Sequence, residues 1–87
     1  MEIKTVTRRI HPDSHKSESP YRVKIGKCNF YDQLIVDIFH DKLGFIGTYQ
    51  FSKESIKDYE SIHFKAIEKG EVVQIKWVQD IEFTKIK

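Results

Sequence analysis

Three side chains capable of holding a metal stand at alternate positions near the start of the chain: His11, Asp13 and His15. Imidazole nitrogen and carboxylate oxygen are ligands that zinc takes at about 2 Å in tetrahedral geometry, so a metal-dependent hydrolase is one chemistry these residue types permit. Alternate residues converge on one ion only where the backbone is held extended, and nothing nearby supplies a partner strand or supporting shell. We read the segment as a solvated loop, with neither His40 nor His63 in evident reach of it. Cys28 stands near Lys24 and Lys27, cations that favour a nucleophilic thiolate. No histidine is placed beside it, and a small buried thiol is the preferred reading. His63 is an acid or base if it opens into a pocket, and otherwise a packing residue with one ring nitrogen on a backbone carbonyl. The glycines Gly26, Gly44, Gly47 and Gly70 are scattered and form no phosphate loop. No cofactor is implied, and an enzyme is the least supported class.

The elements that must position these groups are few. At 87 residues the chain is expected to form a single domain over 1–87, with residues 11–20 as a polar loop holding Ser14, Ser17 and Ser19 between Pro12 and Pro20. Leu34, Ile35 and Val36 form the longest apolar run, too short for a membrane span, and the N-terminus lacks the order of a signal peptide. A lone cysteine excludes an internal disulfide and suits a reducing compartment, so the expected location is cytoplasmic. Twelve lysines against three arginines, with twelve isoleucines, reflect codon bias rather than activity. The net charge of +2 divides unevenly, +4 over residues 1–27 and −2 over residues 28–87. We read that division as half of an internal pairing, with a nucleic-acid footprint as the alternative.

Glu2 to Ile10 reads as a weak strand. Tyr21, Val23 and Ile25 alternate with Arg22 and Lys24, Gln33 to His40 is rich in β-formers, and Asp41 to Gly44 turns the chain into Phe45 to Phe51; these three segments predict an antiparallel meander. Ser52 as N-cap, Glu54 in the first turn and Gly70 as a stop predict a helix of about four to five turns, with Ile56, Tyr59, Ile62, His63, Ala66 and Ile67 on one face. Val73 to Phe83 keeps one parity as a long strand with a bend near Gln79 and Asp80, its second half paired with the N-terminal strand so that Asp80 and Glu82 meet Lys4, Arg8 or Arg9. The expected fold class is α+β: a curved, mainly antiparallel sheet of about five strands in the order β-β-β-β-α-β, one helix on one face, with partial closure into a barrel as a variant.

With Val23, Ile25, Leu34, Val36, Ile38, Phe45, Tyr49, Phe51, Val73, Ile75 and Trp77 under the helix, the opposite face carries Arg22, Lys24, Ile35, Asp37, Phe39, Ile46, Thr48 and Gln50. Ile35, Phe39 and Ile46 are too apolar for a solvated sheet face and need cover, either from a curling sheet or from a partner. The first functional expectation is a non-enzymatic protein-binding or regulatory module, an inhibitor or a homodimer included, using these eight residues or an edge strand. Single-stranded nucleic-acid binding is the alternative, with Arg22 and Lys24 tracking phosphates beside Phe39. The strand Leu34-Ile35-Val36-Asp37-Ile38, with the helix opened by Ser52 and Glu54, resembles the single-stranded-DNA-binding transcriptional coactivators over residues 24–62. The chain departs from them in lacking a strongly basic sheet face and in its long last strand, and no site residue is carried over.

Overall fold

The computed structural model describes residues 1–11, 20–26 and 30–87. Its elements are β1 (Ile3–Ile10), β2 (Tyr21–Lys24), β3 (Gln33–His40), β4 (Gly44–Ser52), α1 (Lys53–Ile56), β5 (Ser61–Lys69), β6 (Val72–Trp77) and β7 (Thr84–Lys85). They form two sheets, one ordered β1-β3-β4-β7 and one ordered β2-β5-β6. The first is mixed, because β1 runs parallel to β3 while β4 pairs with β3 and β7 in antiparallel fashion. The second is antiparallel throughout. The class is α+β as expected, but with two sheets in place of one, and no strand pair among the described residues joins them into a barrel.

The helix is where the structure departs furthest from the sequence reading. Ser52 does cap a helix, its hydroxyl accepting from the Ser55 N–H at 3.4 Å, but the helix ends at Ile56. Ser61–Lys69 is instead the central strand of the second sheet. The reason lies in Ile62, Phe64 and Ala66, which alternate with His63 and Lys65. A helical stripe through Ile62 and Ala66 leaves Phe64 off the apolar face, whereas a strand buries Ile62 and Phe64 together, and both are fully buried. Gly70 is needed for a positive φ of 63°, in the β5–β6 hairpin turn and not at a helix end.

The inner faces of the two sheets share one core. Leu34, Val36, Ile38, Tyr49 and Phe51 come from the first sheet, Val23, Ile62, Phe64 and Trp77 from the second, and Ile56 from α1. Trp77 sits at the aromatic centre, with ring centroids 4.8 Å from Phe51, 5.2 Å from Phe64 and 5.5 Å from Tyr49, all edge-on. Such pairs contribute roughly 0.5–1.5 kcal/mol each beyond area burial. The meander is corrected in part: β3 and β4 form the expected hairpin, but β2 leaves for the other sheet.

The bend near Gln79 becomes a full break, across which the chain passes from β6 in one sheet to β7 in the other. Gln79 fixes it: its side-chain carbonyl accepts from the His63 N–H at 2.9 Å and its amide donates to the Ser61 carbonyl at 3.2 Å. The N-terminal strand pairs with β3 rather than with the last strand, so the expected pairing with Asp80 and Glu82 does not form. Lys4 and Arg8 share the parity of Val6 and Ile10 on the inner side, where Lys4 donates to the Ile25 carbonyl at 3.0 Å and lies over the Tyr31 ring. Charged residues at inward positions are why β1 reads as a weak strand.

Candidate functional site

Of the metal candidates, Asp13 and His15 lie outside the described residues, as does Cys28. His11 is committed elsewhere: its Nδ1 lies 2.6 Å from Asp41 Oδ2, and Arg9 reaches the other carboxylate oxygen at 3.4 Å. The His11 hydrogen bond first, then its charge and that of Arg9, holds the Asp41 carboxyl below the usual carboxylate range. Among the described residues no group of three His, Cys, Asp or Glu side chains is disposed to hold a metal. His63 sits half-buried on β5, its Nδ1 3.2 Å from the Gln79 amide.

His40 is the buried polar residue that sequence reasoning passed over. It is 3% exposed, at the inward parity of Leu34, Val36 and Ile38. Its Nδ1 accepts from the Lys42 and Leu43 N–H groups at 3.1 and 3.2 Å. Two donors at Nδ1 place the ring proton on Nε2, which donates to Glu68 of β5. One imidazole therefore shapes the β3–β4 turn and ties the two sheets together. The β3 alternation already marked His40 as inward-facing, so the signal was present.

The eight residues expected on one binding face divide between the two sides of the molecule. Arg22 and Lys24 belong to β2, opposite His63 and Ser61 across the strand pair. Ile35, Asp37 and Phe39 lie on the outer face of the four-stranded sheet, half-buried, with Gln50 and Thr48 as the cross-strand neighbours of Ile35 and Asp37. Asp37 accepts from the Thr48 hydroxyl at 2.7 Å, and it lies on a different sheet from Arg22 and Lys24. Ile46 is corrected: a register shift between Ile38 and Phe39 makes it the extra residue of a bulge, and it packs against the core. Phe45 takes its place outside, 47% exposed, pairing with Phe39 edge-on at 5.5 Å. Bulges re-aim side chains in this way.

The outer face of the four-stranded sheet is accordingly uncharged over most of its area. Thr5, Thr7, Gln33, Thr48, Gln50 and Thr84 surround the Ile35, Phe39 and Phe45 cluster, with Arg9 and Asp37 as the charges at its strand positions. The outer face of the three-stranded sheet has the opposite character. Its ten strand positions hold Arg22, Lys24, Lys65, Lys69 and Lys76 with His63, Ser61, Gln74, Ile67 and Val72, and no carboxylate. This basic face is the feature whose absence from the sequence reading weakened the nucleic-acid alternative. The resemblance to the coactivators loses its other support, since the helix opened by Ser52 is four residues long. No described helix is long and apolar enough to cross a membrane. Comparison with protein-family models, with curated proteins and with solved structures gives no match, and the two sheet faces are read from their own chemistry.

Proposed function

We propose that the protein is a small non-enzymatic binding module that holds a protein partner on the outer face of its four-stranded sheet. The observation that carries this reading is the Phe39–Phe45 pair, edge-on at 5.5 Å beside Ile35, on a face that neither α1 nor the three-stranded sheet covers. Ile56 of α1 and Val23, Ile62, Phe64 and Trp77 of the three-stranded sheet are spent on the inner core. An aromatic pair beside Arg9 and Asp37, with threonine and glutamine along the rest of the face, matches the composition of a protein interface, where aromatic residues and arginine are enriched and a few rigid rings supply most of the affinity.

The test is capture from the native host by the full chain, cross-linked and compared with Phe45→Ser and with Phe39→Ala/Phe45→Ala. Solution mass by light scattering separates a foreign partner from a second copy of the chain. A partner released by both variants, with circular dichroism unchanged, supports the reading. A partner retained by both overturns it.

A further inference from the structure

Packing does not account for the charge of the basic face. Lys65 and Lys76 stand directly opposite each other on β5 and β6. Directly opposed side chains in an antiparallel pair are about 4.5–5.5 Å apart at Cβ, and like charges there are destabilising. Opposite charges across the same pair would stabilise the hairpin, and the chain has acids to spend. Yet none of Arg22, Lys24, Lys65, Lys69 and Lys76 forms an ion pair among the described residues, whose charged pairs are Arg9 and His11 with Asp41, His40 with Glu68, and Lys57 with Glu54. The chain's formal charge is +2, so five unneutralised cations on this face leave −3 for the rest.

From this face we infer that the three-stranded sheet binds the phosphate backbone of double-stranded nucleic acid without reading its sequence. Register places the cations along a track. Lys24 is level with Ser61, Arg22 with His63, Lys76 with Lys65, and Lys69 closes the far end of β5. At about 3.4 Å per residue, the steps from Ser61 to Lys69 span roughly 27 Å. Duplex DNA presents one charge for about every 1.7 Å of its axis, so such a track meets phosphates along its whole length. None of the ten strand positions on this face holds Phe, Tyr or Trp, and its one ring, His63, is half-buried with Nδ1 3.2 Å from the Gln79 amide. Single-strand binders stack bases on rings, whereas backbone contact with a duplex needs only the charges. The site is separate from the Phe39–Phe45 face, and each stands or falls alone.

The experiment is fluorescence anisotropy of a labelled random-sequence 20-base-pair duplex titrated with the full chain at several salt concentrations. Five phosphate contacts give a slope of log K against log salt of about −4.5, and Lys65→Gln/Lys76→Gln flattens it by about 1.8. The same double substitution weakens binding on the order of 100-fold at 50 mM salt. Phe45→Ser leaves both values unchanged. Circular dichroism checks that the double variant is folded. No binding at 20 mM salt overturns the inference, as does a slope that the double variant leaves intact. Tighter binding to a single strand of equal length, or binding to anionic phospholipid vesicles without duplex binding, also overturns it.

Discussion

Replacing His40 by phenylalanine keeps a ring of similar size in a site that is 3% exposed, while removing every hydrogen bond the imidazole makes. The Lys42 and Leu43 N–H groups belong to exposed turn residues, and water takes them over at about 0.5 kcal/mol each. The bond to the Glu68 carboxylate is worth more, about 1.5–3 kcal/mol for a hydrogen bond to a charged group. His40→Phe should therefore cost about 2.5–4 kcal/mol. Glu68→Gln keeps an acceptor oxygen and loses only the charge assistance, about 1 kcal/mol. Urea unfolding followed by the fluorescence of Trp77, the chain's one tryptophan, measures both variants and their combination. A chain of this length has a total stability of about 4–13 kcal/mol, so the effect is large enough to resolve. The double-mutant cycle should return a coupling of about 1 kcal/mol between the two positions. Additive losses, or a His40→Phe cost under about 0.5 kcal/mol, would refute the view that this imidazole fastens β3 to β5.

Two further outcomes follow from the same geometry. Phe64→Ala should cost about 3–5 kcal/mol because Phe64 is fully buried between Tyr21 and Trp77, at ring distances of 5.2 Å to each, whereas Lys65→Ala on the outer face should shift stability by less than about 0.5 kcal/mol. Equal effects in thermal unfolding would contradict the strand assignment. Asp41 has its carboxyl depressed in the folded state, chiefly by the His11 hydrogen bond. Its stabilisation is therefore complete above the ordinary carboxylate range and is lost as pH falls through the lower folded value. Asp41→Asn should flatten the acid limb of the stability profile below about pH 4; identical acid limbs would show that the His11–Asp41 contact does not form in solution.

The strands at Gln33–His40 and Gly44–Ser52 were legible because alternation and the turn at Asp41–Gly44 agree with each other. The second half of the chain was harder because its punctuation is ambiguous. Ser52 and Gly70 bracket a helix equally well as a short turn followed by a hairpin, and no proline or glycine marks the stop after Ile56. Phe64 was the residue to weigh, since it fits the strand pattern and misses the helical stripe. The exchange of Phe45 and Ile46 could not be read from sequence, because a bulge inverts every parity beyond it and leaves no mark in composition. The basic face was hidden for a related reason. Its cations come from three separate segments, and only the pairing of β5 with β2 and β6 brings them onto one plane.

The parallel placement of β1 beside β3 bears on how the molecule is made. Ile3 pairs with Gln33 and Ile10 with His40, so each residue of β1 waits for a mate thirty positions downstream. At synthesis rates of about 5–20 residues per second, that interval is roughly 2–6 s during which the nascent segment has no strand to lie against. Lys4, Arg8 and Arg9 put three positive charges on this waiting edge, and like charge is a device that opposes edge-to-edge pairing before the fold exists as well as after.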